Sequence, residues 1–125
     1  MAKVINIKQE TDYNAIIHLR NADGTDFNLV PYTGSSDKVL VKWRKKGTTT
    51  WTEKEISVYS ATTGRLIWEW TTAETTDLSV GEWQGEFICQ EDLVSGEFVN
   101  GTSKQVRFPN NPTKYQKIIV IESSI

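Results

Sequence analysis

Lys38-Val39-Leu40-Val41-Lys42-Trp43-Arg44 is the stretch on which the fold turns. Val39, Val41 and Trp43 fall on one side of an extended chain, and Lys38, Lys42 and Arg44 on the other. The segment therefore reads as a strand with one face in a core and one basic face in solvent. Upstream, Val4, Ile5 and Ile7 make a short opening strand, and Tyr13, Ala15, Ile17 and Leu19 oppose Asn14, His18 and Arg20, with Ile16 out of phase. Asp23-Gly24 supplies the positive backbone angle of a tight turn, after which Phe27 and Leu29 return to the core. Downstream, a strand over 51–59 directs Ile56 and Val58 one way, and a turn at 61–64 leads to Leu66, Trp68 and Trp70 alternating with Ile67 and Glu69. Residues 71–80 carry no alternation, and a single helical turn is predicted over 73–76. Trp83, Gly85, Phe87 and Cys89 share the next inward face, with Ile88 out of phase.

The C-terminal third is less regular. Asn100-Gly101 is a two-residue hairpin signal, so 92–103 reads as an added hairpin lobe. Val106 and Phe108 form a short strand stopped by Pro109 and Pro112. The four apolar residues 118–121 predict a last strand buried on both faces or against a partner.

Composition agrees with the periodicity. Thr, Val and Ile total 36 of 125 residues, against 11 for Ala and Leu, so strand formers outweigh helix formers. The expected fold is all-β: an immunoglobulin-like antiparallel β-sandwich of seven to eight strands, one domain over 1–125. A single cysteine, Cys89, leaves no internal disulfide to pin the sheets, so Trp43, Trp68, Trp83 and Phe87 are expected to do so by packing.

A net charge of −2 offers no field to recruit a polyanion, and nucleic acid is not expected as a partner. No apolar run approaches the roughly 20 residues that cross a bilayer, so no membrane association is expected, and the free cysteine fits a chain made in a reducing cytoplasm.

Chemistry-bearing residues are few. His18 falls on the outward parity and Cys89 on the inward one, which reads as a surface imidazole and a small buried hydrophobe, not a catalytic pair. No zinc set can be assembled from them without carboxylates. Residues 21–26 open like a calcium loop, but Tyr32 stands where the twelfth-position Glu is needed, and an Asx-type turn accounts for them. Glu53 and Glu55 share a strand face, as a solvated pair would. Asn100-Gly101-Thr102 is a glycosylation acceptor only in a secreted chain. No cofactor, metal or enzymatic activity is expected.

Charge is segregated along the chain. Residues 66–102 hold eight acids and no Lys or Arg, while the flanking segments each carry +3. Two readings stand side by side: Lys and Glu cancel across neighbouring strands, or a basic side formed by Lys42, Arg44, Lys45 and Lys46 meets the acidic side of another subunit. Trp51 and Trp70, if exposed, would stack on a sugar ring or fill a partner's pocket, and Phe98 in the 92–103 lobe is a further interface candidate.

Three ordered segments carry a resemblance. Residues 21–29 resemble the "DG-x-x-F-x-L" turn after the second strand in the N-terminal domains of phage baseplate upper proteins and related tail or fibre domains. Thr62-Thr63-Gly64-Arg65-Leu66, continuing into 71–78, is similar to that family's "TG-x-(hydrophobic)" strand followed by "T-x-E-D/T-T-x-L". Gly81-Glu82-Trp83-Gln84-Gly85-Glu86-Phe87 resembles its "G-x-Y-x-x-E-F" strand. Order and spacing match over most of 5–121. Glu10-Thr11-Asp12 stands where the family often has a Gly-Asp-Thr-like turn, and 92–103 is longer than its usual hairpin.

The resemblance implies a non-enzymatic structural protein of a bacteriophage virion. It would be an assembly adaptor of tail, baseplate or fibre, made in the bacterial host from a phage or prophage gene. Its partners would be other tail or baseplate proteins and copies of itself as a homo-oligomer. The alternative from another class is a carbohydrate-binding module that uses exposed Trp to stack on cell-surface sugars.

Overall fold

The computed structural model describes residues 4–109 and 115–122. In chain order these form β1 (Ile5–Lys8), β2 (Tyr13–His18), β3 (Lys38–Lys45), β4 (Thr52–Ser60), β5 (Arg65–Trp70), α1 (Thr72–Thr76), β6 (Gly81–Glu91), β7 (Lys104–Phe108) and β8 (Gln116–Ile121). The fold is all-β, and α1 is the helical turn that the break in alternation predicts.

One layer runs β1-β8-β6-β3 and continues into the first half of β4, with β7 also on β6; the other holds the rest of β4 with β5 and β2. β4 belongs to both, because its residues 52–56 pair with β3 and its residues 57–60 with β5, across a register shift between Val58 and Ser60. The long strand β6 pairs with β3 on one edge, and on the other with β8 through 81–85 and then with β7 through 87–91. One pairing departs from the antiparallel expectation: β1 and β8 run parallel, with Ile5 opposite Ile118. As first and last strands they need no tight turn between them, so parallel pairing is open to them.

The layers are joined by aromatic packing. Trp43 of β3 lies 5.4 Å from Trp68 and 4.8 Å from Trp70, both on β5, and Phe87 of β6 meets Trp68 edge-on at 5.8 Å. Trp68 is fully buried, and Trp70 is only 2% exposed. Trp70 is therefore a core residue and not a surface platform, because it keeps the inward parity of Leu66 and Trp68. Trp83, half-buried, packs against the margin of the same core.

Two further expectations change. In β8, Ile118 and Val120 are buried but Ile121 is 47% exposed, so this strand shows the core one face only. In the lobe, the hairpin turn is Ser95-Gly96, where both residues have positive φ, as a type I′ turn requires, and Val94 and Glu97 exchange backbone hydrogen bonds across it. Asn100-Gly101 instead makes a tight turn closed by the Thr102 N–H on the Val99 carbonyl. Pro109 ends β7 as expected, and Pro112 lies outside the described residues.

Local chemistry locks the connections. Thr71 caps α1 by accepting from the Glu74 N–H while the Glu74 carboxylate accepts from the Thr71 N–H, a reciprocal capping box. Thr75, fully buried, donates to the Thr11 carbonyl and accepts from the Thr11 N–H, and Asp12 accepts from both the N–H and the hydroxyl of Thr72. The helical turn thus clamps the β1–β2 turn, where Glu10 has φ 62 in the left-handed region that favours glycine. Gly64, at φ 68, is wedged so tightly that a Cβ would lie 2.6 Å from the carbonyl oxygens of both Leu19 and Phe27.

Candidate functional site

Three of the basic candidates point to the outward face of β3, and register decides its electrostatics. Across β3 and β6, Lys42 stands opposite Glu86 and Arg44 opposite Gln84. Lys42 pairs with Glu86 at 3.5 Å, and Arg107 of β7 joins the same carboxylate. Glu82, also on β6, holds Lys46 at 3.2 Å and Lys117 of β8 at 3.6 Å. Glu82 and Glu86 therefore each gather two cations, and most of the expected basic surface is cancelled within the domain. Lys45 does not belong to that surface. It shares the parity of Trp43, and its Nζ donates to Ser79 Oγ at 2.7 Å.

Arg44 differs from the other three. Its Nε donates to Gln84 Oε1 at 3.1 Å, and no carboxylate reaches it among the described residues. Its guanidinium lies 4.3 Å from the centre of the Trp51 ring and 5.3 Å from that of Tyr115. Trp51 comes from the residue before β4, beside β3, and Tyr115 from the residue before β8, beside β6, so the two rings reach Arg44 from opposite flanks and meet at 5.5 Å. Lys42 Nζ also lies 4.5 Å from the Trp51 ring. Such contacts are worth about 0.5–2 kcal/mol each and hold the guanidinium in one orientation. The result is a half-buried Trp-Arg-Tyr cluster with one uncompensated charge. Tyr115 had no sequence signal beyond its place just ahead of the last apolar run.

Trp51 lies half-buried outside the core, whereas Trp70 drops out as a stacking candidate. Phe98 is 37% exposed and shares the lobe with Val94 at 46% and Val99 at 38%. The lobe is tied to the start of β3. Asp37 Oδ1 accepts from the Asp92 N–H at 3.0 Å, Asp37 Oδ2 from the Gly34 N–H at 3.1 Å, and the Leu93 N–H donates to the Ser36 carbonyl at 2.7 Å.

A cleft of about 500 Å³ opens where the first half of β4 parts from β5, with Trp43, Thr52, Asp77 and Trp83 among its lining residues. Lys54 bridges its rim, donating to the Glu69 carbonyl at 2.8 Å and to the Glu74 carboxylate at 3.0 Å. Burial pushes the Glu74 carboxyl up, but hydrogen bonds from Thr71 and Lys54 outweigh it and hold the group below its ordinary value.

No family model matches the chain, and no curated protein matches it.

The other chemistry-bearing residues have local partners or are buried. His18 Nε2 lies 2.6 Å from Asp26 Oδ1, and Arg20 reaches the other ring nitrogen. Cys89 is fully buried, and burial pushes its thiol up to about 12, which keeps it protonated. Asp23 accepts from the N–H and hydroxyl of Thr25, forming the Asx-type turn, and these bonds lower its pKa. Among the described residues no three His, Cys, Asp or Glu side chains gather closely enough to hold a metal ion.

Proposed function

We propose that this chain is a non-enzymatic structural adaptor of a bacteriophage virion, working at the tail, baseplate or fibre by contact with other tail proteins and with copies of itself. The observation that carries the reading is how the resembling segments meet. Gly64 of the "TG" segment fits against the Leu19 and Phe27 backbones, and Phe27 is the aromatic residue of the "DG-x-x-F-x-L" segment. Residues 71–78, which carry the "T-x-E-D/T-T-x-L" resemblance, supply both the Thr71 cap of α1 and Thr75, which grips Thr11. Glu10, standing where that family often has Gly, takes a backbone angle suited to Gly. These residues secure connections of the all-β fold, which supports the reading beyond turn composition.

The test is localisation. Virions purified from the host that carries the gene are probed with an antibody to the chain, by blot and by immunogold. Label at the tail or its tip is expected; particles free of the chain would overturn the proposal.

A carbohydrate-binding module remains the second reading, supported by the half-buried pair of Trp51 and Tyr115. Cell-wall polysaccharide retained by the purified chain and lost in Trp51→Ala would favour it. Arg44 and Lys42 already occupy the Trp51 ring, which weighs against a free stacking platform.

A further inference from the structure

We infer that the cleft beside α1 receives an arginine side chain of a partner protein, with Asp77 as the carboxylate that meets its guanidinium. The inference deepens the assembly reading above by naming the chemistry of a partner, and rests on it for its setting. At about 500 Å³ the cleft lies within the range of small-ligand sites, about 300–1,000 Å³, and admits one long side chain with its flanking backbone. Its charged lining residues are Glu53, Glu74 and Asp77 against Lys54, three negative charges to one positive. Lys45 stands opposite Trp83 at the margin of the cleft and leaves the balance negative when it is counted; its Nζ is already held by Ser79 Oγ. Asp77 ends α1, which has no basic residue in its last turn.

The hydrogen-bonding capacity left in the cleft is one-sided. All three donors of the Lys54 ammonium are spent, one on the Glu69 carbonyl and two on the Glu74 carboxylate, and the Trp83 indole N–H is spent on the Ser79 carbonyl at 2.9 Å. The side chains of Asp77 and Glu53 have no partner among the described residues, so what remains is acceptors, with the Thr52 hydroxyl able to serve either way. A ligand must therefore bring both donors and positive charge. That argues against an anion, and against a sugar, whose oxygens need donors as well. A guanidinium brings five N–H donors in a plane that stacks on indole, and the buried Trp43 and half-buried Trp83 supply the indoles. The walls are held before anything binds. Trp43 packs on Trp68 and Trp70, Trp83 is tied to Ser79, and Asp77 rides on the helical turn that Thr75 and Asp12 clamp in place, so little ordering is lost on binding.

The experiment is a titration of the full chain with the capped tripeptide Gly-Arg-Gly at low ionic strength, up to about 10 mM, followed by NMR at the Trp83 indole N–H. The matched probe replaces arginine with citrulline, which keeps the shape and lacks the charge. Saturable shifts of the Trp83 signal are expected with the arginine peptide, weaker by about tenfold or more with the citrulline peptide and in Asp77→Asn, each of which removes one partner of a charge-assisted contact. Circular dichroism establishes that Asp77→Asn is folded; if it is not, the two peptides on the wild-type chain decide. No shift at Trp83 over the titration would overturn the inference. So would equal binding of the two peptides, or shifts centred on Trp51 and not on Trp83. None of these results touches the virion reading, which stands or falls on the particles; conversely, charge-dependent binding at Trp83 would hold even if the particles lacked the chain.

Discussion

Thr75 and Thr11 are joined by a single buried hydroxyl that serves both backbone groups of Thr11: Thr75 Oγ1 donates to its carbonyl at 2.7 Å and accepts from its N–H at 3.1 Å. Replacing Thr75 with Val keeps the shape and strands both Thr11 groups. We expect a loss of about 2 kcal/mol, against less than about 1 kcal/mol for Thr75→Ser, which keeps the hydroxyl. Urea unfolding of the two variants checks this, and equal losses would remove the hydroxyl from the account.

Gly64 and Gly24 both have positive φ but sit in different surroundings. A Cβ at Gly64 meets two carbonyl oxygens at 2.6 Å, whereas one at Gly24 has nothing within 4 Å. Gly24→Ala should cost about 1–2 kcal/mol from backbone conformation alone. Gly64→Ala should cost about 3 kcal/mol or more, or prevent folding, because backbone must shift as well. Comparison of melting temperatures separates the two effects.

The tryptophans divide in the same way. Trp70→Ala should destabilise by about 3–5 kcal/mol, the usual loss for a large aromatic side chain in a core. Trp51→Ala removes half-buried contacts with Arg44, Lys42 and Tyr115, and should cost about 1–2 kcal/mol. A larger loss for Trp51 than for Trp70 would contradict the burial described above.

The depressed pKa of Glu74 sets part of the acid response. A carboxyl whose folded value lies below its ordinary 4.5 contributes stability above that pH and loses it as pH falls through the folded value. Glu74→Gln should therefore flatten the acid limb of a stability-against-pH curve while lowering stability at neutral pH. The check is a series of denaturant midpoints from neutral to acid; parallel curves for wild type and variant would contradict it.

Much of this architecture was legible because the apolar period is two wherever one face is buried. The alternation at Leu66, Trp68 and Trp70 places Trp70 inside by parity alone, as the structure has it. The neutralised β3 face was not legible, since it depends on Lys42 lying opposite Glu86, and local patterning carries no register between distant strands. Strand position likewise decides the burial of 118–121: β8 is paired on both edges by β1 and β6, yet only Ile118 and Val120 turn inward. In the lobe, Asn100-Gly101 is the stronger hairpin signal by composition, but Ser95-Gly96 takes the hairpin turn. Tyr115 enters the Arg44 cluster only through the β6–β8 pairing.

The shared strand β4 has a mechanical consequence. Its nine residues leave one layer and enter the other without a loop between them, so the layers are tethered by hydrogen-bonded backbone as well as by side-chain contact. A pull on the outer face of one layer is carried along covalent bonds to the other as shear on paired strands, and the two cannot peel apart while β4 stays zipped at both ends.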